Sequence, residues 1–562
     1  MFIRIKTSPN SAKKAVQIVE NIRTGDKVRQ RIVRHVGNAL DDEELVRMKE
    51  LAEAIKLKLK SQTAPSLFSQ EELFEMVIST RRSKTLGDDS MAVDLKKLVE
   101  EQRVVIGIHD VYGKIYRDLG FLNVLGDRLK EKEANNRLFH LVMARIAKPE
   151  SKRASVTLLE RDFGIPLLLQ SVYEMMDKIK DKQEELICKL AWNAAVSVIG
   201  TKVNVLFYDC TTLYFESFTE DELKQFGYSK DNKFNQSQVV LALLATEEGL
   251  PVGYQIFPGA TFEGNTMETV LKNIETRYQI SNVFFVADSA MLSQKNLEML
   301  ESGDRKYIVG ARLKNLKKSL TEKIVDTSTY KTLPGINSTD ENDKLKIASF
   351  DLDKSRKLIV TYSPSRAKKD KSDREKSVEQ LKSKLEKSSN PLSLISNFGY
   401  KKFIISEKPG EIKLDEAKLK KESRWDGLRG MMTNATTLSP EEVITHYHGL
   451  WQIEECFRLS KHNLQIRPIY HWTPDRIKGH IAICFIALVC MRHLYNRVAK
   501  DYTRLSAEVI RKELTQVQLS ILKNTQDGKR YALPSKSTEQ AQKIYQILGL
   551  KLPEAPFQIK TN

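Results

Sequence analysis

The sequence has little cysteine: five in 562 residues, at Cys188, Cys210, Cys456, Cys484 and Cys490, with no C-x-x-C pair. That excludes a disulfide scaffold and a zinc ribbon, and it points to a reducing compartment. Long hydrophobic runs are missing too. The longest, Ile481 to Met491, falls short of the ~20 residues a membrane helix needs, so it is expected to be a buried helix and no membrane partner is expected. The opening MFIRIKTSPN lacks the apolar stretch of a secretory leader. There is no Walker-type loop and no G-x-G-x-x-G, so nucleotide hydrolysis has no support. Six of the nine histidines follow residue 440 (His446, His448, His462, His471, His480 and His493). None forms an H-x3-H pair with partnering cysteines, so they read as part of a basic, nucleic-acid-facing region rather than as zinc ligands.

What the sequence has is positive charge, 91 Lys and Arg against 73 Asp and Glu for a net +18. The polyanion a soluble basic protein meets most often is nucleic acid, although charge alone leaves open a basic surface with no particular partner. Hydrophobic content of 41% and charged content of 29% describe a soluble globular chain. Its length predicts several domains.

Residues 1–60 read as a β-hairpin plus helix. Ala15 to Arg23 and Lys27 to Val36 are strand-like, Thr24-Gly25-Asp26 forms the turn, and residues 1–40 hold nine basic and two acidic residues. Asp41 to Leu59 has helical spacing, and 61–95 reads as a linker. Residues 96–200 are predicted helical, with Pro149 ending one helix and Lys152 and Arg153 just beyond it, an arrangement suited equally to DNA contact or to a solvated helical domain. From 201 to 311 the pattern becomes α/β. Strands are predicted at Val203–Tyr208, Val239–Leu244 and Val252–Phe257, then a helix over Thr266–Tyr278, then strands at Val283–Val286 and Lys306–Val309. Residues 312–439 read as a β-rich insertion. Lys354 to Lys376 carries nine basic and three acidic residues, a solvated face given no role of its own. Pro440 to Lys461 is predicted as one helix opened by Ser439 as N-cap, within a segment 440–500. A C-terminal helical region follows over 501–562.

Three carboxylates stand out. Asp209 and Asp288 each follow an apolar strand run, where a side chain is held rigidly. Glu454 shares a helical face with Tyr447, Leu450, Trp451, Arg458 and Lys461. A core face would be aliphatic and a solvent face would not carry tyrosine and tryptophan. Three carboxylates on separate elements suit a hard cation, Mg²⁺ or Mn²⁺. Two such ions can activate the attacking oxygen and stabilise the leaving oxygen of an in-line phosphodiester displacement. Arg458 and Lys461 would then meet backbone phosphates, and the aromatics could stack on bases.

The segment Tyr447-x-x-Leu450-x-x-x-Glu454-x-x-x-x-x-x-Lys461 resembles the Y-x2-R-x3-E-x6-K signature of bacterial insertion-sequence DDE transposases of the IS-four superfamily. YDCTTLYFES around Asp209, GYSKD at Gly227 to Asp231, GLPVGYQIFPG at Gly249 to Gly259, VADSAM around Asp288 and RPIYHWTPDRIKGHI from Arg467 to Ile481 resemble its other motifs in the right order. The N-terminal GDKVRQRIVRHVG resembles one branch of that superfamily. The resemblance implies an RNase H-like mixed-sheet core, 201–311 and 440–500, interrupted by the insertion at 312–439. It implies that Asp209, Asp288 and Glu454 bind metal, and that Tyr447 and Lys461 contact transposon-end DNA. It implies binding of inverted repeats on double-stranded DNA, cleavage and 3′-OH transfer to target DNA, a homodimer in the synaptic complex, and a cytoplasmic, nucleoid-associated location. This chain departs from the pattern at Leu450, where the signature has arginine, and at Ser289-Ala290, where Arg-Gly is usual. Two other readings stay open: an RNase H-like nuclease that cuts without joining, and a decayed DNA-binding protein.

Overall fold

The computed structural model describes residues 2–8, 11–24, 27–39, parts of 45–53, 93–200, 203–228, 235–278, 283–291, 293–333, 344–387, 403–408 and 411–559. The expected linker over 61–95 lies outside the described residues except for its last three, as does most of the helix expected over 41–59.

The N-terminal strands β1 (Phe2–Ser8), β2 (Ser11–Thr24) and β3 (Lys27–Ala39) form an antiparallel sheet in that order. The expected hairpin is β2–β3, closed at Thr24 opposite Lys27. Val16 and Ile18, two apart and so on one face of β2, are buried with Ala52.

The segment expected to be helical begins instead with strand β4 (Leu98–Val105). Five helices follow: α1 (Gly107–Asp118), α2 (Leu129–Ala147), α3 (Lys152–Phe163), α4 (Leu169–Met176) and α5 (Asp181–Ile199). Lys152 is no DNA contact. It is 4% exposed, packed under His480, whose Nδ1 lies 3.1 Å from its Nζ.

The core sheet is built from β5 (Val205–Tyr214), β6 (Gln238–Thr246) and β7 (Pro251–Pro258), then α6 (Thr266–Tyr278), β8 (Phe284–Ala287), α7 (Gln294–Ser302) and β9 (Lys306–Ala311). Spatial order is β7-β6-β5-β8-β9. The first three pair antiparallel, and β8 lies parallel to both β5 and β9. That is the RNase H-like arrangement, three meandering strands followed by two parallel ones that each need a crossover helix. Burial on both faces explains the apolar runs Val205–Tyr208 of β5 and Val239–Ala245 of β6.

The insertion is not a separate β unit. Its helices and strands are α8 (Lys318–Val325), β10 (Lys331–Thr332), β11 (Lys346–Asp351), β12 (Lys357–Tyr362), α9 (Pro364–Lys387), β13 (Ile404–Lys408), β14 (Glu411–Leu414), α10 (Glu416–Ser423) and β15 (Leu428–Thr433). Strands β10-β11-β12-β15 continue the core sheet outward from β9 to give nine strands, while β13 and β14 form a small hairpin. Much of the basic run is helix α9, which has charge on nearly every turn and no apolar stripe for a pattern search to find.

The helix expected over Pro440–Lys461 is broken. It comprises α11 (Pro440–His448), α12 (Trp451–Arg458) and a π-helical turn, Leu459–Asn463. Ser439 and Glu442 cap α11 reciprocally, each side chain accepting the other's backbone N–H at 3.2 and 2.8 Å. Helix α13 (Pro474–Asp501) is apolar and long enough to cross a membrane, yet 94% of its apolar window is buried inside the protein, so it is a core helix. His480 and His493 on it are 5% and 1% exposed and do not face a ligand. Burial drives the His493 pKa down to about 3 and keeps the ring neutral. The C-terminal region is not wholly helical either. Helices α14 (Ala507–Gln516) and α15 (Glu539–Ile547) alternate with β16 (Gln518–Asn524), β17 (Arg530–Pro534) and β18 (Phe557–Ile559). These strands build a four-stranded sheet, β18-β17-β16-β4, tying the chain's end to the start of the helical region.

Candidate active site

Asp209 lies in the middle of β5 rather than at its end, because the strand continues through Tyr214 in register with β6. Alternation sets its direction. Leu206, Tyr208 and Cys210 enter the core on one face of the sheet, while Val205, Phe207 and Leu213 enter the core on the other. Asp209 shares the face of Phe207. That face is the one on which α12 packs, and Gly449 permits the approach. A Cβ there would stand 2.3 Å from Phe207 Cζ, so the α11–α12 junction passes against the strand only without a side chain.

Asp288 follows the last residue of β8. Tyr208 is paired with Ala287, so one step further puts Asp209 and Asp288 level on adjacent parallel strands, which run roughly 4.8 Å apart. Their Oδ1 atoms accept backbone N–H groups of the next residue, Cys210 at 2.7 Å and Ser289 at 2.6 Å. Glu454 comes from α12 and is exposed. All three carboxylates line one cavity of 1460 Å³, together with Tyr447, Leu450 and Trp451.

The Tyr447 hydroxyl lies beside the Asp288 carboxylate, near enough for that charge to act on it. Burial, then the charges of Asp288 and Glu454, push its pKa up to about 12, so it remains a donor across the physiological range. Gly310 on β9 leaves room for it, since a Cβ there would come within 2.5 Å of the Tyr447 hydroxyl. Trp451 is 53% exposed at the cavity mouth.

The donors are all carboxylate oxygens on rigid elements, which fits a hard divalent cation. They are not drawn into a tight cluster: among the described residues no three Asp, Glu, His or Cys side chains converge closely enough to hold an ion as they stand. Like charges repel, so uncompensated carboxylates keep apart. Cys210 and Cys456 beside the acids are buried thiols whose pKa rises to about 12, which makes them inert packing groups.

Arg458 and Lys461 do not line the cavity. Arg458 is exposed and holds Glu455 at 2.6 Å, and Lys461 sits in the π-helical turn. Basic side chains that sequence reading passed over do line it: Arg312, Lys314, Arg374 and Arg429. Their positions follow from β15 returning to pair with β9, a long-range pairing with no local signal.

Residues 201–490, just over half of the 562-residue chain, match the family model described as "Transposase DDE domain", and residues 3–67 match "IS1634 family transposase, N-terminal domain". No curated protein matches the sequence. Among solved structures, a piggyBac transposase synaptic complex with hairpin DNA is similar at 10% identity and TM-score 0.35, over 73% of this chain and 76% of that one. A Mos1 transposase paired-end complex with left transposon end is similar at 13% identity and TM-score 0.14, over 28% and 53%. A Mos1 mariner paired-end complex with Mn gives 12% and 0.13, over 28% and 54%. The chain thus spans little more than half of the Mos1 chains.

Proposed function

The chain belongs to the DDE transposases of bacterial insertion sequences, and on that premise we propose that Asp209, Asp288 and Glu454 are its catalytic metal-binding residues. In this reading the protein binds the inverted repeats at its element's ends on double-stranded DNA, cleaves there, and transfers the 3′-OH ends to target DNA. The observation that carries it is the convergence of the three carboxylates, from β5, the end of β8 and α12, on one cavity inside the matched segment.

DDE transposases use divalent metal ions; here the ions are Mg²⁺ or Mn²⁺, two of them. Asp209, Asp288 and Glu454 would hold them, and when bound they would supply the charge that activates the attacking oxygen and stabilises the leaving oxygen of the phosphodiester. The chain's own residues do the rest. Strand β5 fixes Asp209 and restricts its rotamers. Tyr447 orients Asp288 through the phenol. Trp451 offers an exposed ring to the DNA at the mouth, and Arg458 and Lys461 continue the contact along the backbone. The helical region and the N-terminal sheet grip the element end. A homodimer holds two ends together, and the enzyme works in the cytoplasm on nucleoid DNA.

The test incubates labelled element-end DNA with the protein and Mg²⁺ or Mn²⁺, beside Asp209→Ala, Asp288→Ala and Glu454→Ala. Joined products from the parent that vanish in all three variants support the reading. Cutting without joining would show a nuclease, shifted but uncut DNA a binding protein, and activity surviving Glu454→Ala would sink the triad.

A further inference from the structure

Two arginines stand side by side on the cavity wall. Arg312 follows the last residue of β9, and Arg429 is the second residue of β15. The strands are antiparallel with Ala311 opposite Gly430, so the next step along the ladder brings Arg312 opposite Arg429. Both are exposed and both line the cavity that holds the three carboxylates. The other two cations of that wall are neutralised: Lys314 Nζ lies 2.6 Å from Glu422, and Arg374 forms a two-pronged pair with Asp426, one arm at 2.7 Å. Among the described residues neither Arg312 nor Arg429 makes an ion pair or a side-chain hydrogen bond.

Like charges directly across a ladder are destabilising, and among the described residues no ion pair offsets these two. An anion between them would. Guanidinium forks match phosphate oxygens in a plane with two donors each, and strand positions hold them more rigidly than loop positions would. The pair is also placed where a cation is wanted. DNA entering the site brings phosphates toward three carboxylates, and the signature arginine that would help to offset this is Leu450, an apolar side chain on the same cavity wall. The charge of Arg429 already bears on the Tyr447 phenol, against the pull of Asp288 and Glu454.

We propose that Arg312 and Arg429 form a clamp for backbone phosphates of the DNA strand whose scissile bond enters the carboxylate site, supplying from the sheet the contact that Leu450 cannot make. The clamp rests on the transposase reading but is tested apart from the chemistry. Full-length protein is titrated with a fluorescent duplex taken from the DNA flanking its gene, in EDTA, over a range of salt. Each neutralised phosphate contributes about 0.9 to the slope of log K against log salt. Arg312→Ala and Arg429→Ala are each expected to lower the slope by about that amount, and the double variant by about twice it. Lys314→Ala, which removes an equal charge already paired, is expected to change it by less than half as much. Adding Leu450→Arg to the double variant restores about one contact's worth of slope and part of the joining activity in Mg²⁺. A parental slope in the double variant, or an equal loss in Lys314→Ala, overturns the clamp. Because the slope is read without metal, either result stands whether or not the parent joins DNA, and joining by the parent is the separate measure of the transposase reading.

Discussion

Tyr447 reaches across from α11 to set its hydroxyl beside Asp288 at the end of β8, and it can do so because residue 310 between them is glycine. A signature tyrosine expected to touch DNA thus turns its hydroxyl toward a carboxylate.

Tyr447→Phe keeps the ring and removes the donor. Hydrogen bonds to charged groups contribute roughly 1.5–3 kcal/mol, so strand cleavage should slow about 10- to 100-fold with end binding nearly unchanged. Gly310→Ala, which drives a methyl against the same hydroxyl, should give the same phenotype. Single-turnover cleavage rates beside gel-shift affinities decide it. Equal losses of binding and rate in both variants would return Tyr447 to a DNA contact.

Metal should stabilise the fold as well as act in the reaction. Three carboxylates on one cavity repel each other until a cation joins them, and a ligand at 100 times its Kd adds about 2.7 kcal/mol. The melting temperature of EDTA-treated protein should rise with Mn²⁺. Asp209→Asn should melt higher than the parent without metal and gain less from it. An undiminished Mn²⁺ shift in Asp209→Asn would remove that residue from the ligand set.

Much of the core was legible because its signals are local. Val239–Leu244 and Val252–Phe257 are buried on both faces and flank a Glu-Glu-Gly turn, and α6 keeps the expected bounds Thr266–Tyr278. Asp209 is expected at a strand end because the apolar run stops at Tyr208, whereas the hydrogen-bond ladder runs on to Tyr214. The strands that join β16 to β4 and β15 to β9 are pairings between distant segments, and no window of sequence contains both partners. Helix α9 hid for another reason: its charge marks it as solvated whether or not it is helical.

Helix α9 is held to the sheet by the pairing of Arg374 with Asp426 and by Asp370, which accepts the Gly427 N–H at 3.0 Å. The side chains of Arg374 and Asp426 are each 17% exposed, so removing one leaves a partly buried charge without its partner. Asp426→Ala should cost about 1–3 kcal/mol and lower the melting temperature. Since Arg374 lies on the cavity wall, limited proteolysis within 364–387 should also quicken. Asp426→Asn, which keeps an acceptor, should lose less. If the two variants melt alike, the charge pairing contributes nothing measurable.

Lys152 offers a test of the interior that no surface lysine would pass. It is buried beside Arg145, His471 and His480, with no carboxylate of the described residues acting on it, and burial lowers its pKa from 10.5 to about 7. Between those values the unfolded chain binds a proton there that the folded chain does not, so stability must rise as pH climbs from about 7 toward 10.5. Below pH 7 both states are protonated and the cost of burying the charge is fully present. Lys152→Met removes the group from both states, and its stability should therefore rise less over that window than the parent's. Urea midpoints for both proteins at pH 7, 8 and 9 measure the difference. Parallel curves would mean that the ammonium reaches water in solution and titrates as an ordinary lysine.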